Sequence, residues 1–308
     1  MMFDAHIHWL PGEIIDNAHF YSTAWGNIEG QLEVMDKFHI DKTLIVYPTN
    51  DAYRKMGGLK EVSRIYNNHI AGVVKRYPER FVGAAILPVD KPEEMAGEFE
   101  RATKSLGFKA LSLATSFDGI YLDDERFYRL YEEVESLGIP IFIHPQTVNP
   151  IGYERVKDPL LTPAIEFVFD TTICIGKLIM AGTLRRFPDL KFIFAHFGGV
   201  TPFIKERFDS IYRMLRGRDI VKDLFALPSE YLGRIYVDTS GVTSSHALMC
   251  TLEMVGAEHI LWGSDYPGNP DIPASINAIE KLEIPAREKA KILGANIERV
   301  LAGALTGG

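Results

Sequence analysis

Cysteine is scarce in this chain. Cys174 and Cys250 are the only two among 308 residues, far apart and without metal-ligand spacing. That excludes a disulfide scaffold or a zinc ribbon and fits a reducing compartment. Basic residues are in deficit as well: 33 Lys and Arg face 41 Asp and Glu, for a formal net charge of −8. A mildly acidic surface makes nucleic acid and anionic membrane poor partners. It leaves room for a local basic pocket that takes a small acid. No run reaches the roughly 18 consecutive apolar residues of a membrane helix. The start, Met1-Met2-Phe3-Asp4-Ala5-His6, lacks the basic and apolar stretch of a secretory leader. The expected location is therefore the cytoplasm. Low-complexity segments and Pro- or Gly-rich linkers are missing too. With 46% apolar and 24% charged residues, the composition is that of a globular chain and not of a disordered one.

What the chain does have is a repeating alternation. Eight short apolar and β-branched runs are predicted strands: Phe3–His8, Thr43–Tyr47, Phe81–Pro88, Ala110–Ala114, Pro140–His144, Lys191–His196, Ile235–Ser240 and Ile260–Ser264. Most are continuously apolar, the pattern of parallel strands covered on both faces. Helical stretches separate them, at Ile28–Phe38, Val62–Arg76, Pro92–Ser105, Asp124–Ser136, Thr171–Phe187, Pro202–Leu215, Ser244–Val255 and Ile272–Lys281, and Arg287–Ala302 closes the chain. Eight βα units in order predict an α/β fold, a (β/α)8 TIM barrel spanning residues 1–308 as a single domain. An open doubly wound sheet is the alternative. No Gly-rich dinucleotide fingerprint follows the first strand, which weighs against it. The tail, Thr306-Gly307-Gly308, is expected to fray.

Barrel active sites form at the C-terminal ends of the strands, and there the histidines gather. Strand one ends in His6-Ile7-His8, strand five in His144-Pro145, strand six in His196, and strand eight in Gly263-Ser264-Asp265-Tyr266-Pro267. Residues two apart on a strand face the same way, so His6 and His8 can share one cation. His144 and Asp265 approach it from across the ring. Imidazoles plus one carboxylate suit zinc or another divalent transition ion. Any one of these residues alone is as well explained by packing or a turn; their joint placement points to metal. His19, His39, His69 and His259 lie away from strand ends and read as surface residues. His246, just after strand seven, is left open.

With these residues assembled, the chain resembles the amidohydrolase superfamily, in the branch related to 2-amino-3-carboxymuconate-6-semialdehyde decarboxylase. The resemblance rests on Asp4-Ala5-His6-Ile7-His8, Tyr77-Pro78-Glu79-Arg80-Phe81-Val82-Gly83, Phe142-Ile143-His144-Pro145, Arg186-Phe187-Pro188-Asp189-Leu190-Lys191, Ala195-His196-Phe197-Gly198-Gly199 and Gly263-Ser264-Asp265-Tyr266-Pro267. It covers nearly the whole chain and implies a ligand set of His6, His8, His144 and Asp265. The ion would be zinc first and manganese second. It implies that His196 stands beside the metal and moves protons. Lys109 precedes strand four, at the wrong end for a metal-bridging lysine, so one metal is expected. The resemblance further implies a homodimer in which Arg207 reaches the neighbouring site to bind a substrate carboxylate. Two departures stand out. No Arg lies in Trp25–Lys42, where the family places one before its second strand, and Arg54 is the candidate substitute. Gln146 follows His144-Pro145 where the family has Trp.

Two chemistries follow from that set, with His196 and Asp265 as the catalytic pair. The favoured one is non-oxidative decarboxylation of a small aromatic or unsaturated carboxylic acid. The alternative is hydrolysis of a lactone, ester or amide, and a noncatalytic metal-binding barrel is the third reading. Phe167, Phe169, Trp9 and Tyr266 are candidates for an apolar wall around a planar acid, although ordinary packing is the better explanation of them.

Overall fold

The computed structural model describes residues 1–303 apart from 223 and 242. The tail at Thr306–Gly308 lies outside them. Eight parallel strands run in chain order: β1 Phe3–His8, β2 Lys42–Val46, β3 Phe81–Ala85, β4 Ala110–Ala114, β5 Ile141–His144, β6 Phe192–Phe194, β7 Tyr236–Asp238 and β8 Ile260–Leu261. The ring closes where β8 meets β1. Trp262 O accepts from Ala5 N, His6 O from Asp265 N, and Tyr266 O from His8 N, each at 2.8 Å. The result is the nearly closed barrel of the sequence reading.

Helices cover the outer faces. The principal ones are α1 Ile28–Lys37, α2 Leu59–Arg76, α3 Pro92–Glu100, α4 Tyr128–Ser136, α5 Phe167–Met180, α6 Thr201–Arg216, α7 Ser245–Val255 and α8 Ile272–Glu280. Their starts carry ordinary signals. The Asn27 side chain caps Gly30 N at α1, and Asp271 caps Ala274 N at α8, each satisfying a helix-end N–H. A short antiparallel ribbon, Ser116–Phe117 with Ile120–Tyr121, sits between β4 and α4.

Strand alternation divides the apolar residues into two cores. The outward set, including Ile45, Leu111, Ile143, Phe194 and Trp262, packs under the helices. The inward set, including Leu44, Val46, Ala84, Ala110, Phe142, Ile193 and Leu261, fills the barrel. Phe142 forms the floor of the mouth, with its ring centroid 4.9 Å from that of His6. A register shift in β1 between Asp4 and Ile7 turns the strand locally there.

Several boundaries differ from the sequence reading. The strands predicted to reach Pro88, His196, Ser240 and Ser264 stop at Ala85, Phe194, Asp238 and Leu261. At the rim the backbone leaves the sheet: His196, Phe197 and Asp265 adopt left-handed φ of 53°, 62° and 63°. The helix expected over Thr171–Phe187 starts earlier, at Phe167, and breaks at Gly182 before a turn at Thr183–Arg186. The stretch expected as one helix to Ser105 ends its α part at Glu100 and widens into a π turn over Arg101–Ser105. Apolar periodicity does not register such changes of hydrogen-bond step.

Candidate metal centre

Three imidazoles and one carboxylate converge at the mouth. One ligand atom from each of His6, His8, His144 and Asp265 lies within 4.8 Å of the others. β1 supplies the first two and β5 the third. Asp265 comes from the loop after β8. His6, His8 and His144 are buried. Gly263 permits the approach of that loop, since a Cβ there would lie 2.8 Å from the His6 Cβ.

The hydrogen bonds fix which ring nitrogen is available. His6 Nδ1 meets Asp238 Oδ2 at 2.7 Å, His8 Nδ1 meets Val46 O at 3.0 Å, and His144 Nδ1 meets Pro145 O at 3.0 Å. Those partners accept, so each Nδ1 donates, and each neutral ring is left with a lone pair on Nε2. The Nε2 atoms of His6 and His8 stand 3.0 Å apart. Asp265 Oδ1 is 3.0 Å from His8 Nε2 and 3.4 Å from His6 Nε2. Lone pairs facing one another at that spacing repel, and a cation shared between them removes the repulsion. The donor set therefore fits one divalent ion, with each imidazole oriented by a second hydrogen bond in the manner of metal ligands.

The titration of His144 and His8 agrees. Burial, with neighbouring imidazoles adding to it, holds His144 well below the usual histidine range, and burial also lowers His8. Both are kept neutral, as ligation requires. For His6, burial acts downward too and is the largest single effect, but the carboxylates of Asp238, Asp265 and Asp4 together outweigh it and raise the ring. Burial alone would raise Asp265; the His6 and His8 rings overcome it and hold the carboxyl well below the usual range. Asp4, beneath the site, accepts from His6 N and Ser264 N at 3.0 Å each. Burial pushes its carboxyl up to about 6.

His196 stands beside the cluster, its ring centroid 5.5 Å from His6 and 5.9 Å from His144. Its Nδ1 lies 2.8 Å from Ser240 Oγ. Above these side chains opens a cavity of about 1760 Å³, larger than a single-ring ligand fills. Arg54, Phe167, His196 and Asp265 line it, together with His246 and the loop around Pro159.

Other expectations fare differently. Trp9 faces away, lining a shallow groove with His69, Arg76 and Tyr77. Gln146 is buried, its amide donating to Ser116 O at 2.8 Å and accepting from Val148 N at 3.0 Å. Tyr266 is outside the cavity lining, and its main chain closes the barrel instead. Arg207 is exposed on α6 and does not line this chain's cavity. Lys109 precedes β4, and the other end of that strand carries Ala114.

The wall over the site comes from residues the sequence reading passed over. Trp25 stacks on His8 at 5.6 Å between centroids, and Tyr21 meets Trp25 edge-on at 4.6 Å. Both sit in the irregular segment after β1, which has no periodicity to betray them. His19 is a surface residue, as expected, and it also lines the rim, with its Nδ1 bonded to Asp51. Asp238 was also missed. Its signal was present: a carboxylate near the end of the strand predicted over Ile235–Ser240.

Comparison with known proteins follows the same lines. The amidohydrolase family profile matches residues 3–302. A 2-amino-3-carboxymuconate-6-semialdehyde decarboxylase of Dictyostelium discoideum is 31% identical over 77% of this chain. The match spans 65% of that relative's length. The crystal structure of 5-carboxyvanillate decarboxylase from Sphingomonas paucimobilis superposes with a TM-score of 0.87 at 24% identity, covering 98% of both chains. A dihydroxybenzoic acid decarboxylase from Polaromonas sp. JS666, solved with manganese and the inhibitor 2-nitroresorcinol, gives 0.83 at 23% identity, over 98% of this chain and 96% of the other.

Proposed function

We propose that this chain, which belongs to the amidohydrolase family, is a metal-dependent non-oxidative decarboxylase of a small aromatic or unsaturated carboxylic acid. One observation carries the reading: three Nδ1 atoms are each committed to an acceptor, so three Nε2 lone pairs and the Asp265 carboxylate meet at one point. The names of the relatives supply the reaction class, since they are decarboxylases of muconate-type or aromatic acids.

His6, His8, His144 and Asp265 would hold one divalent ion, zinc or manganese; manganese is the ion in the Polaromonas structure. Bound there, it would polarise substrate oxygens and balance the carboxylate charge. The remaining steps belong to the side chains. Tyr21 and Trp25 bound one side of the mouth and present flat apolar surface to a planar ring. Arg54, at the rim, pairs with an acidic substituent. Nε2 of His196 takes a proton from solvent or a substrate hydroxyl and delivers it to the carbon bearing the carboxylate. The carbon–carbon bond then breaks, its electrons return to the ring, and carbon dioxide departs. Asp265, a carboxylate throughout, accepts the hydrogen bond of a substrate hydroxyl.

Two further parts of the reading concern the chain's surroundings. Phe203, Arg207, Ile211 and Met214 share one exposed face of α6, and Phe169 and Ile173 are exposed on α5. Such a face on a folded chain favours a homodimer, in which Arg207 would serve a neighbouring mouth. No helix among the described residues is long and apolar enough to cross a membrane. Both cysteines are free thiols, which supports the cytoplasm as the compartment.

The test is turnover by protein reconstituted with zinc or with manganese. Carbon dioxide release from a panel of hydroxybenzoates and muconate-like acids is the expected result. Cleavage of lactones or esters without carbon dioxide would instead make the chain a hydrolase. Inertness toward both panels would leave a metal-binding barrel without catalysis.

A further inference from the structure

The carboxylate of Asp238 touches both halves of the site. It is fully buried. Oδ2 takes the His6 Nδ1 hydrogen at 2.7 Å. Oδ1 accepts from His196 N at 2.9 Å, from Ser240 N at 2.9 Å and from Ser240 Oγ at 2.6 Å. One side chain thus anchors a metal-facing imidazole, the left-handed backbone of His196, and the hydroxyl of Ser240.

Counting protons on Ser240 is decisive. A serine hydroxyl has one hydrogen, and a carboxylate oxygen at 2.6 Å takes it. Only lone pairs of Ser240 Oγ then face His196 Nδ1, 2.8 Å away. The main-chain oxygen of Ser240, 3.4 Å from the same nitrogen, is also an acceptor. Nδ1 must therefore carry the hydrogen. Nε2 is left bare on the other side of the ring, and His196 lines the cavity. We propose that Ser240, held by Asp238, is a positioning residue that fixes His196 in the Nδ1–H tautomer and leaves Nε2 to exchange protons with substrate. The proposal rests on the decarboxylase reading for its catalytic consequence, but not for the tautomer.

Asp238, Ser240 and His196 lie at the ends of adjacent strands, β7 and β6. Gly241 completes the fit, because it follows Ser240 with φ of 81° and a Cβ there would stand 3.4 Å from His196 Nδ1. The hydrogen-bond chain runs His6, Asp238, Ser240, His196, so ligand orientation and proton transfer share one buried anchor.

The test is nitrogen-15 NMR of the imidazoles in zinc-loaded protein without substrate, with His196 assigned by difference from His196→Asn. The wild type is expected to show Nδ1 protonated and Nε2 bare. Ser240→Ala is expected to show mixed tautomers, full zinc content, an unchanged KM and kcat lowered roughly 10- to 100-fold. Ser240→Thr, which keeps the hydroxyl, should recover both the spectrum and the rate. A wild-type spectrum of the Nε2–H form would overturn the proposal whether or not the variants fold. So would a Ser240→Ala protein whose spectrum and pH–rate profile match the wild type, or one that loses its zinc. Since the tautomer is read without turnover, a failed decarboxylase assay and a failed tautomer assignment are separate results.

Discussion

The floor of the mouth and its rim are built on different principles. On the floor His6, His8, His144 and Asp238 are buried, and each ring makes a second hydrogen bond to a strand end or its loop. At the rim His19, Phe20, Arg54 and Phe203 stand exposed on loops and a helix end. The floor is rigid because its polar atoms have partners in a dry setting. The rim is free to vary because little of its surface is committed to packing. On the proposed function chemistry would belong to the floor and substrate choice to the rim, and substitutions in the two regions should read out differently.

The largest effect is expected on the floor. His144→Ala or Asp265→Asn should leave the purified protein short of stoichiometric metal and abolish turnover, as metal analysis and a carbon dioxide assay would show. A variant with full metal and full rate would remove the floor from the mechanism. His196→Asn should keep its metal yet lose roughly 10²- to 10⁴-fold in kcat, the usual scale for a proton-transferring group. Metal loss in that variant would move His196 into the ligand set.

Asp238→Asn is expected to weaken metal affinity about 10- to 100-fold, measured by competition with a chelator. It has a second consequence with a definite sign. Asp238 raises His6, so in the wild type a proton displaces metal from His6 sooner as pH falls. Removing that charge lowers His6, and metal release should shift toward lower pH relative to the variant's own plateau. A release curve that does not move, or moves upward, breaks the link between the two residues. The smallest effect belongs to the rim: Arg54→Ala should raise KM about tenfold, the worth of one charged hydrogen bond, with kcat unchanged.

Much of the floor was readable from residues alone, and the reasons are geometric. The period of two in β1 puts His6 and His8 on one face, and barrel topology brings the ends of β1, β5 and β8 together whatever the loops do. Asp238 was equally readable by position but carries no motif of its own, and its partner is 232 residues away. Trp9 and Tyr266 misled because each adjoins a site residue in sequence: Trp9 follows the strand residue His8 and lies on the other side, and Tyr266 follows the left-handed turn at Asp265 and stays outside the cavity lining. Gln146, which stands where the family has Trp and was a candidate substrate contact, has its amide consumed by Ser116 O and Val148 N. Tyr21 and Trp25 occupy an irregular segment in which packing, not periodicity, decides which ring covers the metal ligands. Arg207 is exposed and does not line this chain's cavity, so the substrate role expected of it would require a second copy.

The account stands or falls on a single ion in the floor. Crystals of the protein loaded with manganese, measured for anomalous scattering, address it directly. The expected result is one peak, at about 2.0–2.3 Å from Nε2 of His6, His8 and His144 and from an Asp265 oxygen, with His196 beyond bonding distance. A peak ligated by His196, two peaks, or none at the mouth would contradict it.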